Sequence, residues 1–186
     1  MRDNMKVPTT FVETGAYHGD GIHSLIQCGH FSAIHSIELM PKWVAHCKER
    51  FAAHPNVHIH EGDSATVLEQ MVQTNVLPNE PVLFYLDAHY SGGETAGDST
   101  DNGCPVLREL QAIAKRNVKG DIIFIDDMRL MGKGSWSGVD GSQYPRTFFD
   151  FSHVTDDTIT QALSPRNIVH KSMCHGFDRM LVVLGD

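Results

Sequence analysis

The chain has no C-x-x-C pair. Its four cysteines, Cys28, Cys47, Cys104 and Cys174, are scattered along 186 residues. That excludes a zinc knuckle and a disulfide framework and leaves reduced thiols. Long apolar runs are also missing, none approaching the roughly 20 residues of a membrane helix. The opening MRDNMKVPTT lacks the apolar stretch of a secretory signal. A cytoplasmic protein with no membrane partner is expected. Positive charge is scarce: 15 Lys and Arg against 23 Asp and Glu give a formal net charge of −8, with no basic cluster. A nucleic-acid partner, which needs a basic footprint, is therefore not expected. The 41% hydrophobic and 20% charged residues are those of an ordinary globule. One domain over residues 1–186 is long enough to bury about two thirds of its unfolded surface.

What is present begins with FVETGAYHGDG at 11–21: a short apolar strand ending in Glu13, a turn holding Gly15, Gly19 and Gly21, and a helix starting near Asp20. Such a turn lets backbone amides approach a nucleotide-like ligand where side chains would clash. The spacing is G-x-x-x-G-x-G rather than G-x-G-x-x-G, and the acid precedes the turn. Both features point away from a pyrophosphate cradle and toward a ligand without phosphates.

The rest alternates strand and helix. Strand SAIHSIEL ends at Glu38, and Pro41 opens the helix PKWVAHCKERFAAH, with Trp43, Cys47 and Phe51 at i, i+4, i+8 on one face. Strand NVHIHEGD ends at Asp63, which with Ser64 is positioned to cap SATVLEQMVQ. PVLFYLDAH reaches Asp87, helix CPVLRELQAIAKRN follows, and GDIIFIDDM carries Asp126 and Asp127. The tail reads as a helix over 156–163 and an antiparallel hairpin of NIVHKSM and RMLVVLG. The expected fold is α/β: a doubly wound Rossmann-like sheet, mostly parallel, with an antiparallel C-terminal hairpin. In such a sheet the strand-end acids converge on one crevice.

On these motifs the chain resembles class I S-adenosylmethionine-dependent methyltransferases over essentially its whole length. The resemblance implies S-adenosylmethionine as cofactor. Glu13, Thr14 and Gly15, with Tyr17 and Gly19, match the motif at its methionine end. Glu38 matches the acid that binds both ribose hydroxyls, and Asp63 and Ser64 stand on the adenine side. Asp87 also lines the cofactor site. A carboxylate accepting two hydrogen bonds suits a ribose diol on chemical grounds too. The same argument keeps an NAD-linked reductase open.

FYLDAH and IFIDDM are similar to the corresponding segments of metal-dependent O-methyltransferases of the catechol type, and the V-E-T-G strand end to macrocin-type sugar O-methyltransferases. The likeness implies Asp87, Asp126 and Asp127 as ligands of Mg²⁺ or a similar divalent cation, since three carboxylates suit a hard ion. Asp87 and His89 are the catalytic candidates, His89 as general base. The implied reaction is methyl transfer to a hydroxyl of a small molecule or a natural-product or sugar scaffold. A metal-free methyltransferase and a lyase that cleaves the cofactor stay open beside it. Two glycine-rich loops, SGGETAGDSTDNG and RLMGKGSWSGVDGSQYPR, are placed as lids, with Trp136 and Tyr144 available to stack on the acceptor. Only about ten residues precede the first strand, so a homo-oligomer that roofs the pocket is expected. His58 and His60 share a strand face but have no third metal ligand nearby in sequence, and His35 reads as a sheet-face residue.

Overall fold

A computed structural model describes residues 6–91, 100–134, 136–137, 148–176 and 178–186. The elements run β1 (Thr10–Thr14), α1 (Asp20–Cys28), β2 (Ala33–Glu38), α2 (Pro41–Arg50), β3 (Val57–Glu61), α3 (Ser64–Gln73) and β4 (Val82–Leu86), then a 3₁₀ turn at Thr100–Gly103. They continue with α4 (Val106–Ala114), β5 (Ile122–Ile125), β6 (Trp136–Ser137), β7 (Phe148–Phe149), α5 (Asp156–Ala162), β8 (Ile168–Cys174) and β9 (Arg179–Leu184). The main sheet has seven strands in the order β3-β2-β1-β4-β5-β9-β8, and β6 and β7 form a separate antiparallel pair.

The five strands β1 to β5 are parallel, and β9 enters antiparallel between β5 and β8. This is the expected doubly wound sheet with its C-terminal hairpin. β1 is central and all five of its residues are buried, the polar Thr10, Glu13 and Thr14 with the apolar Phe11 and Val12, as befits a strand covered on both faces. Val82, Phe84 and Leu86 of β4 pack with Ile123 and Ile125 of β5 under Leu68 of α3 and Leu110 and Ile113 of α4. On the other face Phe11 and Ile34 pack against Ile22 of α1 and Cys47 and Phe51 of α2. The i, i+4, i+8 stripe of α2 is thus the helix's buried face, as its spacing predicts.

Helix ends follow the local chemistry. Asp63 caps α3, its Oδ1 accepting from the Thr66 amide at 2.9 Å. Thr155 and Thr158 close a reciprocal capping box on α5. Pro41 occupies the first turn of α2, where its missing N–H costs nothing. The third strand stops at Glu61 rather than Asp63, because Gly62 turns the chain with φ +142°. Residues 92–99 and 138–147, which include most of the first expected lid and Tyr144, lie outside the described residues, and Trp136 is described as backbone only.

Candidate functional site

The turn after β1 is shaped by two glycines. A side-chain carbon on Gly15 would stand 2.6 Å from the Asp87 carbonyl oxygen, and one on Gly19 would stand 2.6 Å from the Phe51 ring. Both residues have left-handed backbone, at φ +85° and +81°. Tyr17 between them is left-handed as well, φ 45°, an unusual conformation for an aromatic residue. Its consequence is visible: the Tyr17 N–H donates to Glu38 Oε2 at 2.8 Å. Glu38 Oε1 accepts from the Met40 N–H, also at 2.8 Å. The carboxylate at the end of β2 is therefore locked by one amide on each oxygen, with lone pairs left on both.

Gly15, Tyr17, Glu38, Asp63, Ser64 and Asp87 line one cavity of about 390 Å³, together with Trp43, His89 and Arg108. That volume is within the range of small-ligand sites. A second space, of about 670 Å³, lies on the α1 side of the same turn and is lined by Glu13, Asp87, Asp126 and Arg179 among others. Gly15, Tyr17 and Asp87 border both. Glu13 is buried beneath the turn, its Oε1 accepting from Ser36 Oγ at 2.7 Å. Burial, with Asp87 and Glu38 nearby, pushes its carboxyl up to about 7 against that hydrogen bond.

Thr14 and Ser64 turn inward. Thr14 Oγ1 accepts from the Asp87 N–H at 3.2 Å, and both hydroxyls bond to Glu109, a carboxyl wholly enclosed by α4 and its neighbours. Burial pushes Glu109 up to about 7. Sequence reasoning missed Glu109, although an acid on the apolar face of VLRELQAIA is a parity signal that marks it. Asp63 is heavily engaged. Besides capping α3, it forms a bidentate pair with Arg108 at 2.9 Å on each oxygen, and Arg108 in turn holds Asp101.

The acids beyond β4 and β5 separate into two groups. Ligand atoms of Asp87, His89 and Asp127 lie within 4.8 Å of one another, and those of Asp126, Asp127 and Asp178 form another such group. The expected trio Asp87, Asp126 and Asp127 is not assembled. Asp126 Oδ1 accepts from Arg179 Nε and the Asp127 N–H, each at 2.9 Å, and Oδ2 accepts from Tyr85 Oη and, at 3.3 Å, from Arg179 Nη2. Its four acceptor positions are filled, and although burial raises its pKa, Arg179, Tyr85 and the amide outweigh that and lower it. As an all-carboxylate Mg²⁺ cage these residues do not fit, because one of the three is already saturated by a guanidinium.

His89 is the most enclosed member, with 3% of its side chain exposed against 39% for Asp87. Its Nε2 lies 2.7 Å from Asp127 Oδ2 and its Nδ1 3.5 Å from Asp87 Oδ1. Burial opposes protonation of this ring, but Asp127 and Asp87 outweigh it and raise the pKa. The His89 contact in turn lowers Asp127, which also pairs with Arg129. Burial pushes Asp87 up to about 6, despite His89. Asp87 and the expected base, His89, both line the cavity, and Asp87 presents the more exposed side chain. The arginines that complete this arrangement, Arg108 and Arg179, were not expected. Arg179 heads the buried strand RMLVVL, and a cation at that position is the clue the sequence offers.

No family model and no curated protein matches the sequence. Among solved structures the fold is similar to that of an S-adenosylmethionine-dependent methyltransferase from Mesorhizobium loti, with 15% identity, 97% of this chain and 94% of that chain covered, and a TM-score of 0.55. It is similar to an O-methyltransferase from Bacillus cereus in complex with SAH, with 12% identity, 96% and 74% covered, and a TM-score of 0.55. N-methyltransferase NodS from Bradyrhizobium japonicum, in complex with S-adenosyl-L-homocysteine, gives 13% identity, 96% and 78% covered, and a TM-score of 0.51. At these identities the likeness concerns architecture: the chain has the class I methyltransferase fold.

Proposed function

We propose that this chain transfers the methyl group of S-adenosylmethionine to a hydroxyl oxygen of an acceptor, a small molecule or a natural-product or sugar scaffold. The observation that carries the reading is Glu38, fixed by the Tyr17 and Met40 amides with both oxygens still able to accept. A carboxylate prepared in this way is a receptor for a vicinal diol such as a ribose. The bound S-adenosylhomocysteine in two structures of the same fold supports the choice of cofactor.

In this reading Glu38 takes the ribose, Asp63 and Ser64 border the adenine side, and Glu13, Thr14, Gly15 and Gly19 shape the methionine end. S-adenosylmethionine supplies a sulfonium methyl. The acceptor hydroxyl gives its proton to the Asp87 carboxylate as its oxygen takes the methyl, and His89, anchored on Asp127, holds Asp87 in place. A carboxyl raised to about 6 is a stronger base than an ordinary aspartate while still ionised at neutral pH.

We favour the metal-free form of the reaction over the Mg²⁺-assisted one, because Arg179 already neutralises Asp126. Turnover is expected to survive EDTA, and turnover abolished by EDTA and restored by Mg²⁺ alone would reverse that preference. A homo-oligomer belongs to the reading as well. Leu83, Tyr85, Ile122 and Phe124 stand only half-buried on the α1 side of β4 and β5, where a second subunit would add cover. Light scattering that finds an active monomer would remove it.

The test of the cofactor is isothermal titration with S-adenosylmethionine, S-adenosylhomocysteine and NADH. Saturable binding of the two sulfur nucleosides, lost about 100-fold in Glu38→Ala as two charge-assisted hydrogen bonds disappear, is the expected result. Binding of NADH alone would put the reductase reading in its place.

A further inference from the structure

Three histidines outside both cavities meet on one patch of the sheet. β2 and β3 pair in parallel with His35 opposite His58 and Ile37 opposite His60. His35 and the two β3 histidines therefore project from the same face, His58 directly across and His60 on the diagonal. This is the face on which Val12 and Ile37 pack with α3. His35 is buried, His60 half-buried and His58 exposed at the edge strand. The His35 ring lies between the other two, 4.8 Å from His58 and 5.3 Å from His60, each at 25°. His35 Nδ1 and His60 Nε2 stand 3.0 Å apart. A third histidine, which the sequence around His58 and His60 does not contain, thus stands on the neighbouring strand.

We propose that His35, His58 and His60 form a binding site for a divalent transition cation of borderline softness, of the Zn²⁺ class, which clamps edge strand β3 to β2. Two imidazole nitrogens on one tetrahedral Zn²⁺, each at about 2.0–2.1 Å, stand roughly 3.4 Å apart. The observed 3.0 Å between His35 Nδ1 and His60 Nε2 needs only a few tenths of an ångström of opening. The nitrogens of all three histidines do not yet lie within 4.8 Å of one another, so binding has to draw the exposed His58 ring out of its stack on His35 to bring in a third nitrogen, leaving the fourth position to water. The donors suit this class of ion and not Mg²⁺ or Ca²⁺, which demand oxygen. Neutral imidazole is the form that ligates. Regular strands also fix ligand positions better than loops do.

The site does not depend on the methyl-transfer reading, since none of the three histidines lines either cavity. Its test is isothermal titration of Zn²⁺ into the metal-stripped full chain, in wild type and in the His58→Ala, His60→Ala and Asp127→Asn variants. We expect one cation per chain in wild type and the same affinity in Asp127→Asn. Each histidine variant is expected to bind at least about 10-fold more weakly. Thermal unfolding followed with and without Zn²⁺ should show the stabilisation in wild type and Asp127→Asn alone. His58 is exposed, so its variant keeps the test intact even where His60→Ala does not fold. Absence of saturable binding in wild type would overturn the proposal. So would unchanged affinity in His58→Ala, and so would loss in Asp127→Asn alone, which would move the cation to Asp87, His89 and Asp127.

Discussion

Asp63 and Arg108 face each other through two parallel hydrogen bonds of 2.9 Å in the wall of the cavity that Glu38 also lines, joining the start of α3 to α4. Arg108, first, and then Thr66 hold the Asp63 carboxyl down at about 2. A depressed carboxyl contributes stability that is present above its unfolded pKa near 4 and is lost as pH falls through 2. Both side chains are about one third exposed, so solvent screening limits the pair to roughly 1 kcal/mol. Arg108→Met should lower the urea midpoint at neutral pH, and the difference from wild type should shrink as pH drops from about 4 toward 2. A difference independent of pH would assign the loss to packing of the arginine stem.

Gly15→Ala tests the crossing of the first turn over β4. The added carbon meets the Asp87 carbonyl at 2.6 Å on a backbone of φ +85°, so strain and clash act together. A loss of about 2–3 kcal/mol in chemical denaturation is expected, together with weaker cofactor binding, because Asp87 has to move. A variant as stable as wild type would mean that the turn adjusts independently of β4.

The pH dependence of turnover should report Asp87. As the proposed proton acceptor it must be ionised, so kcat/KM should rise with pH through about 6 rather than through the ordinary aspartate value near 4. Asp87→Asn should lose that limb along with about 100-fold or more of the rate. His89→Gln, which removes the ring that favours the ionised form of Asp87, should move the limb to higher pH. A limb that stays near 6 in Asp87→Asn would assign it to another group.

Glu109 gives a stability signal of the opposite sign to Asp63. Its folded pKa of about 7 lies above the unfolded value near 4.3, so its contribution is complete below about pH 4 and is lost as pH rises to 7. Glu109→Gln is neutral throughout and its amide oxygen still accepts from Thr14 and Ser64. Its stability relative to wild type should therefore climb between about pH 4 and 8, by something on the order of 3 kcal/mol. Parallel curves for the two proteins would show that water reaches the wild-type carboxylate.

Much of the scaffold was legible because its signals are local. Ser64–Gln73 begins and ends where the cap and the apolar spacing place it, and the strand-end acids at 13, 38, 87, 126 and 127 do sit at the carboxyl edge of the sheet. What was not legible depends on partners distant in the chain. Asp126 looked like a metal ligand until Arg179, brought in by β9, took its oxygens. Asp63 lines the cavity as expected, but its bidentate pairing depends on Arg108 of α4, 45 residues further along the chain. His58 and His60 lacked a companion because His35 approaches through strand pairing and not through spacing. Each pairing is between oppositely disposed polar groups whose meeting is decided by topology, and no periodicity encodes it.

The position of β9 has a consequence for biosynthesis. It is inserted between β5 and β8, although both of those precede it in the chain. While the ribosome is still adding residues, IIFI therefore waits with one edge bare, and Asp126 waits without its guanidinium. An unpaired, strongly apolar strand edge is the kind of surface on which nascent chains aggregate. Because β9 follows both of its neighbours in the chain, it covers the bare edge of β5 and brings Arg179 to Asp126 in the same step.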